Sequence, residues 1–324
     1  MSGRSLVLAG IGLASLGLAS CGRGGTRDAL SAARALEQRE AAARGIDPAL
    51  VAYAPVLEIA TGLARPAAVA VAEDGRVFVA GDREVRVFGP DGAPQPGFAL
   101  SEAPRCLAVD DSGALWIGYE ARVRLRDPSG VVQTEWPVEG KHPVVTCVTP
   151  SGQDVWVADA GDRVVLRYNR SGQLQGRLGE KDPARKVPGL IIPSYHLDVL
   201  VDAQGQLLVN NPGRLTVETY KPEGAFVSAI GKAAMAIDGF CGCCNPTDMA
   251  LLPDGRLVTS EKGVPRVKVL ERDGRLSCVV AGPDDLSVSA ASGLDLAVDG
   301  QGRVIVLDPH VRLVRVFAPK EAAP

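Results

Sequence analysis

Residues 238–249 read DGFCGCCNPTDM, which places Cys241, Cys243 and Cys244 within four positions. Three thiols this close can bind a soft metal, close disulfides or exchange electrons with other thiols. The Cys-x-Cys-Cys spacing lacks the paired Cys-x-x-Cys of structural zinc sites. A copper(I) or zinc ion bound by Cys241, Cys243 and Cys244 would therefore need a further ligand, and His196 is the candidate. Neither a thioredoxin-like context nor a Cys-x-x-Cys-His haem attachment motif is present. A disulfide among Cys241, Cys243, Cys244 and Cys278, pinning the loop, is the expectation favoured over metal binding or redox activity. Cys106 and Cys147 fall where neighbouring repeats carry small apolar residues, so they read as packing residues.

Whether thiols oxidise depends on the compartment. Arg4 precedes an apolar run of about 14 residues from Leu6 to Ala19, too short to span a membrane and suited to a signal peptide. The run ends in Leu18-Ala19-Ser20-Cys21, which resembles the bacterial lipobox. That resemblance implies a signal peptide over residues 1–20 and lipid on Cys21. The protein is then expected in the cell envelope, held to the membrane by lipid. Gly22 is not the aspartate that retains some lipoproteins at the inner membrane, so the expected destination is the outer membrane or cell surface. Residues 27–44 are rich in Ala, Glu and Arg and lack Gly and Pro, which favours helix. Residues 21–54 thus read as lipid anchor and helical spacer.

Thirty-five Lys and Arg against 38 Asp and Glu leave a net charge of -3, with no basic stripe and few aromatics. Nucleic acid is excluded as a partner on that basis. The chain contains no Gly-x-Ser-x-Gly elbow and no phosphate loop.

A repeat organises residues 55–324. Gly75, Gly113, Gly152, Gly205, Gly255 and Gly302 follow one another at intervals of roughly 38 to 53 residues, the period of propeller blades. Each glycine sits between two short apolar runs, such as CLAVDDSG followed by ALWIGYE. A third, alternating run and a turn such as PDG or PSG come next, and a fourth run closes five of the units. Four strands in each of six units predict an all-β, six-bladed β-propeller. The sixth unit has no room for its fourth strand. The unassigned run PVLEIATG, residues 55–62, is expected to supply it and close the ring. Phe78, Trp116 and Trp156 recur on second strands and read as packing between blades.

Over roughly residues 55–320 the unit resembles the NHL repeat, which implies the same fold. Stretches at residues 211–226 (NPGRLTVETYKPEGAF), 239–246 (GFCGCCNP) and 260–269 (SEKGVPRVKV) also resemble, in the same order, a group of exported bacterial propellers.

In such a fold the entry loops and the loops between second and third strands share one face, beside the central channel. Blades four to six place their polar residues there. Entry loops contribute Tyr195, His196, Asp198, Asn245, Asp248 and Asp295. The second set contributes Asn211, Arg214, Glu261, Lys262, Arg266 and His310. Asp198, Asp248 and Asp295 hold one repeat position, seven before the glycine, where the first three blades have Ala68, Cys106 and Val145. Structural readings compete with binding ones at each position, since such aspartates can cap backbone amides or pair with Arg214 or Arg266. The favoured function is a membrane-anchored binding module, its channel mouth taking a protein or small-molecule ligand. The alternative is a metal-dependent enzyme or metal-handling protein. Residues 244–269 loosely resemble a blade of the peptidylglycine amidating lyases, which implies zinc held by histidines from separate blades. That family pairs the entry-loop cysteine with one in the next loop, and here that loop reads SEKGVPR.

Overall fold

The computed structural model describes residues 44–184, 186–286 and 293–320, together with Ser31, Arg34, Ala35 and Gln38. The expected signal peptide, Cys21 and most of the expected spacer lie outside the described residues. The four isolated positions are helical.

Alternating apolar runs separated by glycine turns cannot bury their faces alone, so they stack as short antiparallel sheets. Blade one comprises β2 (Pro66–Val71), β3 (Val77–Gly81), β4 (Glu84–Phe88) and β5 (Pro94–Ala99). Blade two comprises β6 (Cys106–Val109), β7 (Leu115–Gly118), β8 (Arg122–Arg126) and β9 (Val132–Pro137). Blade three comprises β10 (Val145–Ser151), β11 (Asp154–Asp159), β12 (Val164–Asn169) and β13 (Leu174–Leu178). Blade four comprises β14 (Val199–Val201), β15 (Leu207–Asn211), β16 (Thr216–Tyr220) and β17 (Phe226–Ile230). Blade five comprises β18 (Asp248–Leu251), β19 (Leu257–Glu261), β20 (Arg266–Leu270) and β21 (Leu276–Ala281). Blade six comprises β22 (Asp295–Val298), β23 (Val304–Asp308) and β24 (Leu313–Pro319).

The ring closes with a strand from the other end of the chain. β1 (Tyr53–Ala60) pairs antiparallel with β24, from Tyr53 opposite Pro319 to Ala60 opposite Leu313. The closing strand lies two residues ahead of the expected 55–62, because Gly62 turns the chain at φ +69. All six repeat glycines have φ between +58 and +85, a backbone region that side chains with a Cβ disfavour.

Apolar clusters fill the joints between successive blades. Phe78, Trp116 and Trp156 are buried within them, and Trp116 meets Trp136 edge to face at 5.9 Å. The joint between blades four and five has the smallest cluster, around Leu208, Val217, Met249 and Leu257.

Candidate functional site

Each first strand borders the central channel, where its outer edge has no partner strand. In blades four to six an aspartate at the start of that strand supplies the missing acceptor to its neighbour. Asp198 accepts from Met249 N at 2.8 Å, Asp248 from Leu296 N at 2.7 Å and Asp295 from Val69 N at 2.6 Å. The rule is constant: the carboxylate of one blade takes the amide one residue past the equivalent position in the next. Asp198 also accepts from Val199 N at 2.8 Å. Between blades three and four, hydroxyls replace the carboxylate. Thr146 Oγ1 donates to Leu197 O and Thr149 Oγ1 to Val199 O, each at 2.6 Å.

Above these latches the channel opens into a cavity of about 580 Å³. Tyr195, His196, Asp248 and Asp295 line it, as expected for the channel mouth. Asp198 lies deeper, in the channel itself. The cavity also draws Glu102, Arg105 and Glu120 from blade two, Thr146 from blade three and Thr247 from blade five. Those residues were missed because their repeat positions carry no common polar type. Thr247, directly before Asp248, was the most accessible signal. Arg105 is the cation among these residues, and it forms an ion pair with Glu120.

The floor and wall have unusual proton affinities. Burial raises Asp198, Asp248 and Asp295 above the ordinary carboxylate range. Asp248 is driven further up by the charges of Asp295 and Asp198. Burial, then repulsion from Asp198, brings Asp295 to about 7. His196 moves the other way, to about 4, through burial and then the Lys262 ammonium. Its ring lies against Gly293, where a Cβ would come within 2.8 Å of Cε1. No hydrogen bond joins the imidazole to the described residues, so a neutral ring without a partner among them borders the cavity.

Other sequence candidates are engaged in holding loops. Asn211 accepts from Ile191 N at 2.9 Å and donates to Gly189 O at 3.1 Å and Glu218 Oε1 at 2.9 Å. Arg214 donates to Pro188 O at 3.1 Å. Asn245 donates to Cys241 O at 2.6 Å and Lys262 O at 3.0 Å, and accepts from Lys262 N at 2.9 Å. Glu261, Arg266 and Lys268 are each 0% exposed and form one ionic cluster. Glu261 pairs with Arg266 at 2.7 Å and with Lys268 at 3.0 Å. Both cations also donate to Gly239 O, fixing the segment that leads into the cysteine loop, and Lys268 lies 4.3 Å from the centre of the Phe240 ring. Lys262 reaches Ser194 Oγ at 3.1 Å. His310 is exposed, its backbone amide bound to Asp308.

The expected disulfide is not found. Cys106, Cys147, Cys241, Cys243, Cys244 and Cys278 are all free. Cys278 packs with Tyr53 at the joint of blades five and six and feels the charges of Arg256 and Asp254, which belong to the turn face opposite the cysteine loop. Among the described residues, no three His, Cys, Asp or Glu side chains converge as metal ligands. The set His196, Cys241, Cys243 and Cys244 is therefore not assembled around one point: His196 lines the cavity and the cysteines do not.

No protein-family model and no curated protein matches the chain. Solved structures do match. A streptogramin B lyase has 12% identity and a TM-score of 0.58, over 83% of this chain and 98% of its own. The virginiamycin B lyase from Staphylococcus aureus has 12% identity and a TM-score of 0.53, over 84% and 90%. The WD40 β-propeller domain of Doa1 has 12% identity and a TM-score of 0.55, over 79% of each chain. At these identities the likeness establishes the β-propeller fold alone.

Proposed function

We propose that the protein is a ligand-binding β-propeller whose channel-mouth cavity takes a small polar molecule bearing a positive or hydrogen-bond-donating group. The observation that carries this reading is His196, a neutral imidazole at the cavity wall with no partner among the described residues. Even with Asp248 kept protonated, Glu102, Glu120 and the ionised fraction of Asp295 outnumber Arg105 around the cavity, so its field favours a cation over an anion. The sequence reading of Cys21 adds that the propeller works while tethered to a membrane of the cell envelope. The metal-dependent enzyme reading gains less support, because His142 and His310 do not join His196 at the cavity.

A panel of small amines, polyols and carboxylates, followed by melting temperature and calorimetry, tests the cavity. Amines or polyols are expected to bind the wild type and to lose at least ten-fold in affinity with His196→Ala. Preference for carboxylates, or unchanged binding by the variant, would overturn the proposal. For the tether, Cys21→Ser is expected to move the protein from membranes to the soluble exported fraction.

A further inference from the structure

The loop ahead of β18 brings Cys243 Sγ and Cys244 Sγ to 3.2 Å. Cys243 is exposed and Cys244 buried. The loop is held on both sides. Asn245 binds Cys241 O and the backbone of Lys262, and Cys241 N donates to Glu261 Oε2 at 3.1 Å. The two sulfurs are thus presented together on a braced support, with one edge open to solvent.

We infer that Cys243 and Cys244 form a two-thiol site for a single thiophilic metalloid centre of the trivalent arsenical class. Bond geometry favours this over the alternatives. Two bonds of about 2.3 Å from sulfur to a shared soft centre span about 3.3 Å at a right angle and about 3.8 Å at a tetrahedral angle. A linear centre needs about 4.6 Å on the same bond lengths. The observed 3.2 Å fits a pyramidal centre with almost no movement of the loop. A disulfide would require the sulfurs to close to about 2.05 Å. Consecutive Cα atoms lie about 3.8 Å apart, below the usual disulfide range of about 4.4–6.8 Å.

The proton state agrees. The hydrogen bond to Cys244 holds the Cys243 thiol above its ordinary range, so Cys243 stays a thiol at neutral pH. Condensation with an arsonous acid consumes thiols. Two S–H and two As–OH bonds break, two As–S bonds form and two waters leave. Arsenic stays trivalent and no electrons are transferred. Lys262 joins the two regions, its backbone bound to Asn245 of the cysteine loop and its ammonium to Ser194 Oγ beside the cavity residues Tyr195 and His196, while neither Cys243 nor Cys244 lines the cavity.

Phenylarsonous acid is the probe. The reduced, folded protein is expected to take one equivalent by intact mass and to lose two titratable thiols. The adduct should survive excess monothiol and be removed by a dithiol. Cys243→Ser and Cys244→Ala should each weaken binding at least 100-fold, whereas Cys278→Ala should leave it unchanged. Cys243 is exposed, so its variant remains informative even if Cys244→Ala folds poorly. An adduct that persists in Cys243→Ser, or one lost in Cys241→Ser, overturns the two-thiol assignment. So does a Cys243–Cys244 disulfide as the sole species recovered from protein never exposed to reductant.

Discussion

Blades one to three and blades four to six solve the same joint in different ways. In the first half small apolar residues meet directly. Cys106 packs so closely against Gly118 and Val145 that a Cβ on Gly118 would lie 2.3 Å from the Cys106 sulfur. In the second half carboxylates reach across to backbone amides, and the joint of blades four and five adds the buried Glu261–Arg266–Lys268 cluster beside its small apolar core. At the channel the apolar solution depends on shape, and its polar link, Arg170 of blade three with Asp110 of blade two at 2.9 Å, lies on the turn face. The polar one depends on complete pairing and on protonation, and it borders the cavity. The half of the ring that carries most of the candidate site is therefore also the half whose stability responds to its chemical surroundings.

The comparison is broken most severely at Glu261. Removing it by Glu261→Ala leaves Arg266 and Lys268 buried without their anion, and unfolding free energy should fall by about 3–5 kcal/mol. Denaturant titration measures this. A loss below about 1 kcal/mol would mean the cations are not confined as described. A smaller contrast separates the two kinds of latch. Asp198→Ala removes the acceptor of two buried amides and should cost about 2 kcal/mol, against about 1 kcal/mol for Thr146→Val, which removes one hydroxyl donor. Equal costs would make the carboxylates no more important than the hydroxyls.

The smallest effect is on pH dependence. Asp295 titrates near 7 when folded and near 3.8 otherwise, so the native state keeps a proton that the unfolded chain has released. Its contribution is complete below about 4 and is lost as pH rises through about 7; Asp198 and Asp248 act in the same direction. His196 opposes them, because its folded value of about 4 lies below the ordinary 6.5. Its contribution is complete above 6.5 and is lost as pH falls through about 4. Above pH 6.5 only the carboxyls operate, so the melting temperature should fall from pH 6.5 to pH 8. Asp295→Asn, which retains an acceptor for Val69 N, should reduce that fall by about 2–4 °C. His196→Gln should instead leave the carboxyls unopposed on the acid side, so that stability rises from pH 6.5 to about pH 4.5 more steeply than in the wild type. A wild type with a level profile across both ranges would contradict the buried-carboxyl description.

The architecture was legible in the sequence because a propeller is written as a repeat. The glycine interval, the apolar runs and the missing strand of the last unit each have one physical solution. The common position of Asp198, Asp248 and Asp295 was equally visible, and its use as a latch follows from the unpaired edge of the first strand. The fate of the loop residues was not visible. Glu261 and Arg266 look like a charged binding surface in a linear chain. Only the packed loop over them shows that they face each other and the carbonyl of Gly239. Asn211 and Asn245 misled for the same reason, since an amide that holds a loop and one that awaits a ligand have the same letter. Glu102, Arg105 and Glu120 reach the cavity through the curvature of the ring, which no local spacing encodes.

The pairing of β1 with β24 has a topological consequence. Tyr53 lies opposite Pro319, and Lys320 N donates to Ala52 O at 2.8 Å, so the two ends of the folded ring are neighbours. A short peptide joining them would turn the sixth blade into an uninterrupted four-strand unit, and the chain could then be cut at a turn between other blades. The domain is in that sense a circle with one nick, and the position of the nick is a property of the gene rather than of the fold.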